Sequence, residues 1–180
     1  MHLATVGKKI LGDIYTPVGI YLRLRDRFRD TILLESTDHH AHENSYSFIC
    51  INAIGGIEVK NNDTIEYKLP GTDPEKLALD KKINVHQYLW DFMNKFNVEK
   101  LLDSQFQFAQ GLYGYTCFDA VSFFDTAIPS QTKEPLIPLI RYRLYQYVIA
   151  FNHFKDELII CENKIPGLAG DLQVIETLIR

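Results

Sequence analysis

Cysteine is scarce. The three residues, Cys50, Cys117 and Cys161, are odd in number, fit no metal-ligand spacing and fall within strand-like runs. A disulfide framework and a thiolate metal site are therefore not expected, and we read all three as reduced core thiols. No block of lysine or arginine interrupts the chain and the formal net charge is only −4, so neither nucleic acid nor an anionic membrane is an expected partner. The apolar runs fall far short of a membrane span, and the first fifteen residues hold no signal-peptide core, which leads us to expect a cytoplasmic protein. Internal repeats and low-complexity tracts are absent as well.

What is present is an ordinary globular composition, 46% hydrophobic over 180 residues. That length suits one domain, residues 1–180, with a core that needs no staple. Ten Tyr and eleven Phe concentrate in Phe106–Phe124 and Tyr142–Phe154, as suits sheet faces packed on a large surface.

Local patterns predict the elements. Thr16-Pro17, followed by Val18, Tyr21 and Leu22, predicts a capped helix over 16–27, with Arg23, Arg25, Arg27 and Arg29 as a solvated face. Thr31–Ser36 reads as a buried strand. Tyr46–Ile54 reads as another, and Gly55-Gly56 marks a bulge or bend. Ile57–Lys60 and Thr64–Leu69 alternate around Asn61–Asp63, the signature of an antiparallel hairpin. Residues 70–83 read as a connector. Asn84, with Gln87 at the capping-box position, opens a helix whose apolar stripe runs from Val85 to Phe96. Phe106–Ala109 alternates as a strand does, and Gly111 and Gly114 among aromatics predict close approach of a neighbouring layer rather than a phosphate loop. Asp119 or Ser122 opens a short helical segment through Thr126. A proline-rich loop over 129–138 leads to a hairpin of 139–152 and 157–162, and Asp171 caps a last helix from Leu172. The fold class expected is α+β, antiparallel sheets flanked by helices.

Two polar features bear on function. His39, His40 and His42, with Asp38 and Glu43, contain ordinary metal-ligand types, but adjacent histidines in a loop have no fixed geometry, and we assign no metal there. The run Leu33-Leu34-Glu35-Ser36 places an acid and a hydroxyl at the end of an apolar strand. A buried charge requires a partner, and the ammonium group of an amino acid would serve.

Taken in order, Asp13, Thr16-Pro17-Val18, Tyr21, Leu33-Leu34-Glu35-Ser36, Tyr46-Ser47-Phe48-Ile49, then Phe108, Gly111, Gly114, Tyr115, Phe118-Asp119 and finally Phe151-Asn152-His153 resemble the N-terminal domain of anthranilate synthase component I. Gln110 and Cys117 replace glycines of that family, and Asn44-Ser45 stands where relatives commonly have Gly-Arg. The resemblance implies a feedback site for L-tryptophan lined by Leu34, Glu35, Ser36 and Tyr46. It also implies that no catalytic residue lies in this chain. Chorismate and Mg2+ would be bound by a C-terminal region absent from it, and a glutamine amidotransferase subunit would be the partner of the whole enzyme. The chain alone is then expected to be inactive, with an incomplete regulatory pocket. A C-terminus inside an amphipathic helix suggests a cut polypeptide, and exposed sheet surface is expected to drive self-association. Two alternatives stay open: the matching domain of para-aminobenzoate synthase component I or another chorismate enzyme, and a free-standing amino-acid-binding regulatory module.

Overall fold

Two long strands, β3 (Tyr46–Val59) and β8 (Ile140–Asn152), carry the architecture because their alternating residues can pack on both faces. The computed structural model describes residues 1–35, 45–80, 84–125, 127–128 and 134–180. Within it the chain forms two compact units, through both of which β3 and β8 run. The terminal unit comprises His2–Ala53, Val98–Gly111 and Tyr145–Arg180; the central unit comprises Met1, Ile54–Asn97 and Leu112–Leu144.

In the terminal unit, β1 (His2–Leu11) pairs antiparallel with β9 (Glu157–Lys164), and β9 pairs with β8 in the expected hairpin. The turn of that hairpin uses Asp156 at φ 48°. The short strand β2 (Ile32–Leu34) pairs with β3. Helices α1 (Pro17–Leu24) and α3 (Leu172–Ile179) bury Ile20, Leu24, Ile175 and Ile179 against Ile49, Ile51, Tyr147 and Ile160 of the sheet. Their starts follow the sequence: Thr16 Oγ1 accepts from Gly19 N at 3.0 Å, and Asp171 Oδ1 accepts from Gln173 N at 2.8 Å.

In the central unit, β4 (Thr64–Lys68) pairs with the second half of β3, as the alternation predicts, and β5 (Glu75–Ala78) with β4. On the other side β7 (Tyr113–Thr116) pairs with β8. Helix α2 (Val85–Met93) buries Val85 and Phe92 among Ile57, Val59, Ile65 and Ile140. Among the described residues there are nine strands, with the two-residue β6 (Asn97–Val98), and three α-helices. The class is α+β, and every pairing given above is antiparallel. No helix of the described residues is long and apolar enough to cross a membrane.

Several local expectations are corrected. Phe106–Ala109 belongs to a 3₁₀ helix, Ser104–Gln110, capped by Asp103, whose Oδ1 accepts from Gln105 N at 2.9 Å. Alternating aromatics over so short a stretch do not outweigh a cap. Strand β3 runs unbroken through Gly55-Gly56, and its irregularity is Asn52 at φ 59°. Gly56 is needed instead because a Cβ there would sit 2.5 Å from the Tyr142 carbonyl oxygen. Asn84 makes no side-chain cap bond, Gln87 Nε2 donates to Asp91 Oδ1 at 2.7 Å rather than back to the cap, and α2 ends before Phe96. Cys117 precedes a second 3₁₀ helix, Phe118–Phe123, and is not in a strand. The His39, His40 and His42 segment lies outside the described residues.

Candidate functional site

The short pairing of β2 with β3 sets the site, with Ile32 opposite Cys50, Leu33 opposite Ile49 and Leu34 opposite Phe48. Successive side chains point to opposite faces. Leu33 and Ile49 therefore join the core under α1 and α3, whereas Leu34, Phe48 and Tyr46 share the other face.

That other face meets the 3₁₀ helix Ser104–Gln110. The Phe108 ring lies 5.5 Å from Phe48, and Tyr46 stacks on Phe48 at 6.0 Å with the rings 20° apart. Buried Asn163 fastens the helix by donating from Nδ2 to Ala109 O at 2.6 Å. Gly7 makes room for Phe106, whose ring carbons lie 2.7–2.8 Å from where a Cβ would stand.

Between these elements is a solvent-open cleft of about 570 Å³, within the range of small-molecule sites. Tyr46, Phe48 and Phe108 form its aromatic wall, and Gln105, Gln107 and Asn152 supply amides. At its rim Lys9 Nζ stands 3.1 Å from Glu157 Oε2, with Lys155 nearby. Asn152 is held in one orientation: its Oδ1 accepts from Phe154 N at 3.0 Å and Lys155 N at 3.1 Å, and its Nδ2 donates to the Tyr46 hydroxyl at 2.9 Å. An aromatic wall beside charges of both signs suits a small zwitterion with an aromatic side chain. Cys50 is fully buried and burial pushes its thiol far above the ordinary range, so it offers no nucleophile near neutral pH.

Of the four residues drawn from the sequence, Tyr46 lines the cleft and Leu34 is half-buried on the same face, opposite Phe48. Glu35 follows β2 and is exposed, and Ser36 lies outside the described residues. The premise of a buried acid in need of a partner is thus corrected. Leu33 and Leu34 are only half-buried, and the Glu35 carboxylate is hydrated. Lys9 and Glu157 carry no signal in the sequence; Phe48, Phe108 and Asn152 belong to the segments that carry the resemblance, but nothing local marks them as lining one cleft. Among the described residues no group of three or more His, Cys, Asp or Glu is placed to hold a metal ion.

The α+β class and the aromatic cleft on β3 frame the comparison with known proteins. No family model matches the chain. It is similar to anthranilate synthase component 1 of Lactococcus lactis subsp. lactis (strain IL1403), 25% identical over 162 residues, which are 87% of this chain and 32% of that protein. It is likewise similar to anthranilate synthase component 1 of Acinetobacter calcoaceticus, 26% identical over 166 residues, 86% of this chain and 31% of that protein. The chain spans about a third of the length of these relatives. Both matches support the resemblance to the N-terminal domain of anthranilate synthase component I drawn from the residues.

Proposed function

We propose that this chain is the tryptophan-sensing, N-terminal part of a cytoplasmic anthranilate synthase component I. The whole enzyme would combine chorismate with ammonia, released from glutamine by an amidotransferase partner, and give anthranilate and pyruvate. The observation that carries the reading is the aromatic, two-signed cleft at Tyr46, on the same face as Leu34, in a chain similar over most of its length to two such proteins. The indole would lie against Tyr46, Phe48 and Phe108. Leu34 would extend that wall, and Glu35, which follows β2, would meet the ammonium group together with the Ser36 hydroxyl. Chorismate and Mg2+ would be held by a region outside this chain, so these residues contribute regulation rather than chemistry. By linkage, tryptophan and chorismate would weaken each other's binding by the same factor, about 5–150-fold for typical coupling energies.

The test uses the full-length enzyme. Glu35→Ala, Ser36→Phe and Tyr46→Ala should each raise the tryptophan concentration needed for half-inhibition by about tenfold while uninhibited turnover changes little. Inhibition unaltered in all three would overturn the site. Product analysis is the second arm: ortho-aminobenzoate supports the reading, and para-aminobenzoate replaces it with the para-aminobenzoate synthase alternative.

A further inference from the structure

Two acids are buried among the described residues, Glu58 and Glu162, each 3% exposed. Glu58 meets Lys60, Arg141 and Arg143. Glu162 accepts a hydrogen bond from the Leu172 N–H, and among the described residues no cation forms an ion pair with it; Lys164 acts from further away, and Asp171 adds a second negative charge. A buried carboxylate left in that state weakens the fold. Folds carry such costs where a ligand supplies the missing partner.

The same carboxylate lines a solvent-open cleft of about 490 Å³ that lies wholly within the terminal unit. Ala4 stands opposite Lys164 and Val6 opposite Glu162, so these side chains share the sheet face on which Ile160 packs against α3. Before α3 begins, the segment Ile165–Gly170 forms the other wall. Gly170 allows it to lie close, since a Cβ there would stand 2.0 Å from Glu162 Oε1. Gln146 Nε2 donates to Ala169 O at 2.8 Å, and the Tyr147 hydroxyl accepts from Asp171 N at 2.9 Å. The wall is therefore fixed without drawing on the Glu162 carboxylate.

We propose that this cleft, distinct from the one at Tyr46, is a site for an aliphatic amino acid whose ammonium group meets Glu162 and whose carboxylate meets Lys164. The buried carboxylate selects a cation and repels phosphate. A metal ion fits poorly: Ca2+ takes about six to eight oxygen ligands, and among the described residues no group of three or more His, Cys, Asp or Glu is placed to hold one. An ammonium group needs only the one carboxylate. Lys164, two residues along the same face and so about 7 Å away at the usual strand rise, is exposed and carries the charge that a free carboxylate needs. Ile165, Pro166 and Leu168 supply apolar surface, and among the described residues no aromatic ring lines the cleft, so the side chain it suits is aliphatic. A lysine from the part of the relatives that lies outside this chain is the rival occupant. It would bring an ammonium group but no carboxylate for Lys164.

The experiment titrates the isotope-labelled 180-residue chain with L-leucine at pH about 7.5 and follows backbone amide shifts by NMR. We expect saturable shifts at Lys164, Ile165 and Gly170 with a dissociation constant of roughly 10 mM or below. Glu162→Gln, which keeps the shape and can still accept from the Leu172 N–H, should weaken binding about tenfold or more. Lys164→Ala should weaken leucine about two- to fivefold and leave n-butylamine, which has the ammonium group alone, unchanged. Glu157→Gln, in the cleft at Tyr46, should leave leucine binding unchanged. Absence of saturation up to about 50 mM, or equal weakening by Glu162→Gln and Glu157→Gln, would overturn the proposal. So would n-butylamine binding as tightly as leucine with Lys164→Ala affecting neither, the result a lysine occupant predicts.

Discussion

Thr5 and Asn163 face each other across the β1–β9 pair, and the Thr5 hydroxyl donates to Asn163 Oδ1 at 2.7 Å with Asn163 wholly buried. The same amide donates from Nδ2 to the carbonyl oxygens of Ala109, at 2.6 Å, and Tyr145, at 2.9 Å. One side chain therefore joins three strands to the 3₁₀ helix that walls the cleft. Asn163→Leu would strip these groups of their partners inside the core, so we expect a loss of about 2–4 kcal/mol. Urea unfolding at neutral pH measures it. A loss below about 0.5 kcal/mol would show that the buried amide is dispensable.

Glu58 should set part of the acid sensitivity. Burial pushes its carboxyl upward, but the Lys60 hydrogen bond and the charges of Arg143, Lys60 and Arg141 outweigh it and hold the group below the ordinary carboxylate range. A depressed folded-state value means that the contribution is complete above the unfolded value of about 4.3 and is lost as pH falls through the folded one. Glu58→Gln leaves three cations around a neutral amide and should cost about 3–5 kcal/mol at pH near 7. The gap between wild type and variant should narrow in acid, as equilibrium unfolding at several pH values would report.

Glu162 should behave with the opposite sign. It is 3% exposed; burial raises its carboxyl above the ordinary range, the charge of Asp171 adds to this, and Lys164 and a bond from the Leu172 N–H oppose it. The folded state then holds the proton more tightly than the unfolded one, so stability falls as pH rises from the unfolded value toward the folded one. Glu162→Gln should be more stable than wild type at neutral pH, with the advantage disappearing in acid. A thermal midpoint for the variant below wild type at neutral pH would contradict this account.

Gly114 should tolerate no side chain. A Cβ there would stand 1.8 Å from the Arg141 carbonyl oxygen, within the β7–β8 pair. Gly114→Ala should cost about 3 kcal/mol and speed amide exchange at Tyr113 and Tyr115. Gly71 offers a contrast: its φ is +77° with open space around it, so alanine there meets only backbone strain, about 1 kcal/mol.

Thiol chemistry should single out Cys117. Cys50 and Cys161 are fully buried, and burial pushes Cys161 up to about 12, whereas Cys117 is half-buried. Because the thiolate is the reactive form, Ellman's reagent at mildly alkaline pH should titrate a single thiol in the native chain and all three after denaturation. Rapid native labelling of three thiols would overturn the burial of Cys50 and Cys161.

Elements whose cause lies within a few residues were legible beforehand. The Thr16 and Asp171 caps, the hairpin around Asn61–Asp63 and the hairpin before Glu157 each depend on contiguous residues and form as read. Strand β1 has no local signature because Gly7, Lys8 and Lys9 break the apolar alternation. Only pairing with β9 and the Phe106 ring seated on Gly7 explain it. Strand β5 was hidden for the same reason, since Glu75–Ala78 is exposed and exists through its bonds to β4.

The candidate site divides along the same line. From the sequence alone came the class of fold and the scarcity of cysteine, because composition and short-range periodicity suffice for these, and the motif residues Leu33–Ser36 and Tyr46 carried the resemblance. Tertiary structure alone decided that Glu35 is hydrated, that Tyr46 shares a wall with Phe108, and that Lys9 meets Glu157 across 148 positions of chain. Burial and long-range pairing depend on which surfaces the folded chain brings together, and no local pattern of side chains carries that information.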